Sequence, residues 1–89
     1  MRDCIRIHEK DNVLVVLRRI GKGEILEDSI DGEIAVQADI PIYHKVATKN
    51  IEKGQLVIKY GAAIGKATTD IKKGEYIHTH NLDAIDIMG

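Results

Sequence analysis

A seven-residue pattern recurs three times in this chain and predicts three copies of the same turn. The pattern is Ile-x-Lys-Gly-Glu/Gln-x-aliphatic, and its copies are residues 20–26, 51–57 and 71–77. Lys-Gly is typical of a turn because glycine tolerates the positive φ that other residues avoid. The glutamate or glutamine then begins a strand whose aliphatic residues point inward. Because the spacing between copies is not constant, the pattern indicates a recurring turn in one compact β fold and not a solenoid.

The apolar residues favour short strands. Isoleucine occurs fifteen times, and its β-branched side chain suits a pleated surface. Residues 4–8 and 33–37 alternate between apolar and polar side chains, as a half-buried strand does. Residues 13–17 form a continuous apolar run. A short buried helix could also produce that run, but its length and its three valines favour a strand covered on both faces.

We therefore predict one mostly β domain over residues 1–89, with at most one or two short helical turns. No amphipathic pattern longer than two helical turns occurs in the sequence. The remaining segments are predicted as a loop at 27–33, an edge or turn at 38–44, strands at 55–60, 62–69 and 76–80, and a tail at 83–89.

Charge and composition exclude several function classes. The net charge of −1 creates no strong field toward nucleic acid or an anionic membrane. Three tyrosines, without tryptophan or phenylalanine, are a poor platform for stacking bases. No apolar run approaches the ~20 residues of a membrane span, and the N-terminus lacks the apolar segment of a signal peptide. The single cysteine, Cys4, rules out an intrachain disulfide and favours a reducing compartment. We expect a cytoplasmic protein that binds neither nucleic acid nor membrane.

The strongest candidate for chemistry is His78-Thr79-His80-Asn81. If this segment continues a strand, His78 and His80 share a face, because side chains two positions apart point the same way. Such a pair could supply half of a metal site, or could move protons near neutral pH. No third or fourth ligand is evident nearby, and His44 qualifies only if the fold brings it close. The alternative is a pair of surface or half-buried histidines on a strand.

A second candidate is Lys59-Tyr60-Gly61-x-x-Ile64-Gly65. Its glycines would let backbone amides approach a carboxylate or phosphate, and Lys59 would add positive charge. A tight hairpin that needs glycine for steric reasons explains the same residues. Lys45, beside His44, cannot be separated from an ordinary surface charge by sequence alone.

Three motifs together resemble a known family. They are His44-Lys45-Val46-Ala47, Lys59-Tyr60-Gly61-x-x-Ile64-Gly65 and His78-Thr79-His80-Asn81. In this order and spacing they resemble the N-terminal SAF-type domain of altronate and galactarate dehydratases. The resemblance covers about Asp11 to Leu82 and implies a compact β-clip fold, in agreement with the strand pattern.

The resemblance also implies a function. It implies the small subunit of a hydro-lyase that removes water from a sugar acid to give a 2-keto-3-deoxy acid. The chain would need a separate large catalytic subunit and would be inactive alone. A divalent metal, iron by the resemblance, would be shared with or held by that subunit. The alternatives are the small subunit of sulfolactate sulfo-lyase, which eliminates sulfite, and a non-catalytic module that binds a sugar acid or a protein.

Individual residues acquire expected roles from the same resemblance. His78 and His80 are the expected catalytic residues and the expected contributors to the metal site. The choice among altronate, galactarate and sulfolactate stays open, as does self-association of the chain. Five residues are expected to bind the substrate: His44, Lys59, Tyr60, Gly61 and Asn81.

Overall fold

The computed structural model of the chain describes residues 3–85. Within this range it consists of nine short strands, all paired antiparallel, and contains no helix. The prediction of a mostly β fold is therefore confirmed. No helix of this range could cross a membrane. The strands are β1 Cys4–Ile5, β2 Val13–Val16, β3 Ile25–Asp28, β4 Gly32–Ala35, β5 Lys45–Ala47, β6 Leu56–Lys59, β7 Ala62–Ala67, β8 Tyr76–Ile77 and β9 Leu82–Ala84.

The strands form three small sheets. The largest has the order β1-β2-β5-β8, a second consists of β3 and β4, and the third has the order β6-β7-β9. Two isolated antiparallel bridges lie outside these strands. One joins Ile20 to Ile40, and the other joins Ile51 to Ile71. Each bridge therefore brings together two segments that are distant in the sequence.

The inner strands β2 and β5 are buried on both faces. Leu14 and Val46 enter one hydrophobic cluster, whereas Val13 and Ala47 enter another. Because successive strand residues point to opposite faces, each inner strand separates two apolar layers. This confirms the interpretation of the apolar run at 13–17. The Leu14 cluster contains Leu14, Val16, Ile20, Leu26, Ile34, Val36, Ile40 and Val46, and the Val13 cluster contains Val13, Ala47, Ile51, Val57, Ala67, Ile71 and Ile77.

Each Lys-Gly copy forms the predicted turn. In all three, the residue after the glycine donates its backbone N–H to the carbonyl three residues earlier, at 2.9–3.1 Å. The glycines have φ values of +93°, +88° and +90°, as the third position of a type II turn requires. A side chain on a neighbouring segment accepts the N–H of each lysine: Asp39 for Lys22, Asp70 for Lys53 and Asn50 for Lys73.

Residues 41–44 form a fourth turn of this kind, which the sequence pattern does not reveal. His44 donates its N–H to the Pro41 carbonyl at 3.1 Å, and Tyr43 occupies the glycine position with φ +66°. Ile40, which precedes the turn, bridges to Ile20. The prediction of an edge or turn at 38–44 is thus confirmed.

The predicted loop at 27–33 is wrong, because most of it is strand. β3 continues to Asp28 and β4 begins at Gly32, so only three residues connect them. The segment looks like a loop in sequence because it is polar. Its buried carboxylate is held by an ion pair with Arg6, whose Nε donates to Asp28 Oδ1 at 2.9 Å. A partner so distant in sequence is invisible to a local pattern.

The predicted tail at 83–89 begins too early. Leu82–Ala84 forms β9, which pairs with β7. Gly65 of β7 makes this pairing sterically feasible, because a Cβ there would lie 2.6 Å from the carbonyl oxygen of Asp83. A glycine inside a strand often marks such a close approach. Residues 86–89 lie outside the described part of the chain.

Candidate functional site

Strands β5 and β8 bring a histidine and a tyrosine together. Val46 of β5 lies opposite Tyr76 of β8. His44 is two residues before Val46, so its side chain shares the face of Tyr76. Tyr76 packs against the Leu14 cluster, and its Oη lies 2.7 Å from Nδ1 of His44. This hydrogen bond can run in either direction, depending on the imidazole tautomer.

Two exposed imidazoles complete the group. The His78 ring is stacked on Tyr76, with ring centroids 5.7 Å apart and planes 6° apart, and its centroid lies 5.1 Å from that of His44. The His80 ring centroid lies 5.6 Å from that of Tyr76. We call His44, Tyr76, His78 and His80 the imidazole–tyrosine cluster. Its two exposed rings lie beside two half-buried ones, so part of the cluster is accessible to a ligand.

A turn, and not a strand, positions His78 and His80. β8 ends at Ile77, so the predicted strand at 76–80 is wrong beyond that residue. Asn81 is 2% exposed, and its Oδ1 accepts the His78 N–H at 3.0 Å. Its Nδ2 donates to the Tyr76 carbonyl at 2.8 Å. The amide side chain therefore closes the turn, and both imidazoles reach Tyr76 from it.

The bonds of Asn81 bear on its expected role. Both polar atoms of its buried side chain are engaged by the backbone. That arrangement favours a structural role, because a buried amide that is already bonded gives up those bonds to contact a ligand. Binding of the substrate by Asn81 stays a prediction.

The Lys59-Tyr60-Gly61 motif is the turn of the β6–β7 hairpin. Lys59 lies opposite Ala62, and Tyr60 and Gly61 have φ values of +59° and +73°, as a type I′ turn requires. The Gly61 N–H donates to Asp11 Oδ1 at 2.8 Å. This amide is thus already used within the chain. The hairpin explanation, left open by the sequence, accounts for the glycine, while substrate binding by the three motif residues stays a prediction.

Lys59 lies near a second lysine on the other face of β5. Lys45 follows His44 in sequence, so its side chain points away from Tyr76. It is half-buried, and burial together with repulsion from Lys59 lowers the pKa of Lys45. Within residues 3–85, no carboxylate lies within 4.0 Å of either ammonium group. The two lysines therefore offer positive charge to an anion from outside the described chain.

The fold therefore separates the two predicted parts of the site. His44 immediately precedes β5 and contacts Tyr76 and His78, whereas Lys45 lies on the other face of β5, near Lys59. The expected catalytic and substrate-binding roles of these residues stay predictions. The imidazoles that were predicted to be together are together, and His44 joins them.

The described residues do not form a complete metal site. Between residues 3 and 85, no group of three or more His, Cys, Asp or Glu side chains is arranged to hold a metal ion. One imidazole nitrogen of His44 is already within hydrogen-bond distance of Tyr76. His78 and His80 could at most contribute part of a coordination sphere, and tetrahedral or octahedral sites need further ligands. The iron implied by the resemblance does not fit these residues alone.

Sequence reasoning missed Tyr76 as a site residue. It occupies the variable position of the third turn copy, where the other copies have Ile25 and Leu56. An aromatic residue two positions before His78, in a chain with three tyrosines, was the available signal. Its contact with His44 depends on the pairing of β5 with β8 and could not be read locally.

Fold and site together define a class of protein: a small all-β domain that presents the imidazole–tyrosine cluster at one face. A family described as the altronate/galactarate dehydratase SAF domain matches residues 2–84. The chain therefore belongs to the altronate/galactarate dehydratase SAF domain family.

Relatives of two kinds carry this domain. Altronate dehydratase of Bacillus subtilis is 46% identical over 81 residues, which are 91% of this chain and 16% of the relative. Altronate dehydratase of Escherichia coli is 42% identical over 78 residues, or 86% of this chain and 15% of the relative. The (2R)-sulfolactate sulfo-lyase subunit alpha of Paracoccus pantotrophus is 46% identical over 57 residues, or 64% of this chain and 85% of the relative. The chain thus spans about a sixth of each dehydratase but most of a lyase subunit.

Proposed function

We propose that this chain is the small component of a two-part lyase that dehydrates a sugar acid of the altronate or galactarate type. A separate large catalytic polypeptide would complete the active site, and this chain would be inactive alone. One observation carries the proposal: three of the four histidines gather on Tyr76, in a domain otherwise found within dehydratases and as a lyase subunit.

The chemistry to be served is elimination from a 2-hydroxy acid. A base removes the proton at C2, the C3–O bond breaks, and the leaving hydroxide departs as water after it receives a proton. The resulting enol then becomes the 2-keto-3-deoxy acid. Each step needs a group that can accept or donate a proton at a fixed position. Imidazoles that lie side by side meet that need, and we assign it to the exposed His78 and His80.

His44 and Tyr76 are proposed to support those two imidazoles. When the Tyr76 hydroxyl donates to Nδ1 of His44, the proton of the neutral imidazole lies on Nε2. In the other tautomer, Nδ1 donates and Nε2 becomes an acceptor. The pair can therefore relay a proton: His44 accepts one at Nδ1 from Tyr76 and releases one from Nε2, or the transfer runs in the opposite direction. A divalent metal such as iron, if the enzyme uses one, would be held mainly by the large component, since residues 3–85 lack a third ligand.

Elimination of sulfite is the second candidate reaction. The chain covers 85% of a sulfolactate sulfo-lyase subunit alpha, which means that a domain of this size occurs as a separate lyase subunit. Both reactions remove a proton next to a carboxylate, so the imidazole–tyrosine cluster would serve either one. The leaving group would be recognised by the large component.

The test is an activity assay of the assembled complex. The chain is co-expressed with a large dehydratase-type polypeptide from the same genome, and the complex is assayed with altronate and galactarate for the keto acid and with sulfolactate for sulfite. Replacing His78 or His80 by alanine should lower kcat about 10²-fold or more, the usual contribution of a positioned acid or base. Tyr76→Phe removes only the hydroxyl and should lower kcat while leaving KM nearly unchanged.

His8→Ala is the matched control, because His8 is an exposed imidazole outside the cluster. If His78→Ala and His80→Ala both keep full kcat, the cluster is not catalytic. Titration calorimetry of the isolated chain with altronate and galactarate addresses the non-catalytic alternative. Strong binding by the chain alone, together with an inactive complex, would replace the lyase with a sugar-acid-binding module.

A further inference from the structure

One of the four equivalent turns has an unusual composition. Three of them place Lys-Gly at the two central positions, where the glycine adopts the positive φ and no large apolar side chain is present. In the fourth turn those positions are Ile42 and Tyr43. Both are exposed, at 46% and 69%. The chain therefore presents two large apolar side chains at a site where its other copies present none.

The backbone makes this choice of residues unfavourable for the isolated chain. Tyr43 has φ +66°, a left-handed conformation that is strained for a non-glycine residue. The Lys-Gly pair used by the other copies would avoid that strain and would leave no apolar surface in water. With most of its side chain in solvent, Tyr43 gains little from burial within its own fold. Burial of Ile42 and Tyr43 against a partner would account for the presence of both residues at this turn.

The turn is held rigidly and lies next to the site. The backbones of Ile20 and Ile40 exchange two hydrogen bonds of 2.8 and 3.0 Å immediately before it. His44 closes the turn and is also a member of the imidazole–tyrosine cluster. A partner protein that binds the tip of this turn would therefore also fix the position of the imidazole–tyrosine cluster. Preorganised contact groups of this kind lose little conformational entropy on binding.

We propose that the turn Pro41–His44 is the docking tip of this chain, and that Tyr43 and Ile42 insert into an apolar pocket of the large catalytic component. This inference rests on the proposed function. The occupant follows from the lengths of the relatives: in the dehydratases this domain is about a sixth of the protein, and in the sulfo-lyase it is a separate subunit. Tyrosine is among the residues that contribute most to interfaces when it is buried in a partner's pocket.

Tyr60 offers an internal comparison. It too is an exposed tyrosine with positive φ, +59°, but the ammonium group of Lys59 lies over its ring at 4.9 Å from the centroid. Tyr60 thus has a partner within the chain. Because Tyr60 is also an expected substrate-binding residue, the matched control is Ile30→Lys instead. Ile30 is an exposed apolar residue, at 54%, in the short connection between β3 and β4, and it has no predicted role at the site.

The experiment converts the fourth turn into a copy of the others. The double variant I42K/Y43G is prepared, and its dissociation constant for a large dehydratase-type polypeptide from the same genome is measured by titration calorimetry beside wild type and Ile30→Lys. We expect at least ~30-fold weaker binding for I42K/Y43G, the loss associated with an interface hot spot, and less than ~3-fold for Ile30→Lys. Thermal unfolding of the isolated I42K/Y43G chain should occur at the wild-type temperature or above, because the strain is relieved.

Two results would overturn the docking tip. One is unchanged affinity of I42K/Y43G. The other is sedimentation showing that the free chain dimerises through Tyr43, which would make a second copy the occupant. The outcomes for the proposed function are separate. A complex that needs Tyr43 but eliminates neither water nor sulfite leaves the docking tip intact and refutes the lyase. An active complex whose affinity is unchanged by I42K/Y43G supports the lyase and refutes the docking tip.

Discussion

Replacing Asn81 by alanine distinguishes a residue that holds the site from one that contacts the substrate. The side chain is buried, accepts the His78 N–H at 3.0 Å and donates to the Tyr76 carbonyl at 2.8 Å. Alanine removes both bonds and leaves a backbone donor and a backbone acceptor without these partners. The turn that positions His78 and His80 would lose the side chain that closes it.

The expected loss of stability can be worked from those two bonds. A hydrogen bond contributes about 0.5–1.5 kcal/mol net, and a buried polar group left unpaired costs about 1–3 kcal/mol. Because both backbone groups are only partly buried, water can restore part of the loss. We expect Asn81→Ala to lower the free energy of unfolding by about 2–4 kcal/mol, a large fraction of the about 5–15 kcal/mol typical of a whole domain.

Asn81→Asp provides a second comparison within the same chain. Asp11 closes the turn that begins at His8, where its Oδ2 accepts the His8 N–H at 3.0 Å and its own N–H donates to the His8 carbonyl at 3.0 Å. A carboxylate can therefore hold such a turn. Asn81→Asp keeps the acceptor for His78, but unlike Asp11 it places its second carboxylate oxygen against a carbonyl, that of Tyr76. We therefore expect it to be at least as destabilising as Asn81→Ala.

Two assays decide the matter. Urea unfolding of the isolated chain, followed by circular dichroism, measures the stability of both variants, and steady-state kinetics of the assembled complex measures kcat and KM. If Asn81 holds the turn, alanine lowers both stability and kcat. A variant that loses less than about 0.5 kcal/mol while its KM rises would refute this reasoning and would support the substrate contact predicted from the sequence.

Three further predictions concern the supporting structure. The hydrogen bond from Arg6 lowers the pKa of Asp28, so this pair stabilises the fold above the ordinary carboxyl pKa of 3.8 and is lost as pH falls through the lower folded pKa. Asp28→Asn should abolish that acid-dependent part and destabilise the chain at pH 7 by about 3 kcal/mol, as measured by urea unfolding across pH. Burial lowers the pKa of Lys45, so its charged form opposes folding and stability should rise as pH approaches 10.5 from below. Lys45→Met should raise the urea midpoint at pH 7 and remove that rise, and an unchanged midpoint would contradict the burial argument. Gly65→Ala should cost about 1–3 kcal/mol through overpacking, since its Cβ would lie 2.6 Å from the Asp83 carbonyl oxygen. Hydrogen exchange should then show faster opening of β9, and full protection there would refute the steric reason.

Much of the fold could be predicted from the sequence, because its turns and its buried strand depend on neighbouring residues. The three Lys-Gly turns depend on the φ freedom of one glycine each, and the doubly buried strand depends on its own apolar run. The fourth turn was not recognised as a copy, because Pro41-Ile42-Tyr43 lacks the glycine that marks the others. The polar segment at 27–33 was misread because its charge is balanced by Arg6, far away in the sequence.

The sequence by itself determined the family, the β class and the candidate histidines, because turn chemistry, β-branched patterning and short motifs are properties of neighbouring residues. Only the tertiary structure decided how those residues meet. The pairing of Val46 with Tyr76 brings His44 to the other imidazoles, while strand alternation sends Lys45 to the opposite face. Contacts of this kind depend on register between strands that are distant in the chain, and register follows from the packing of the whole core.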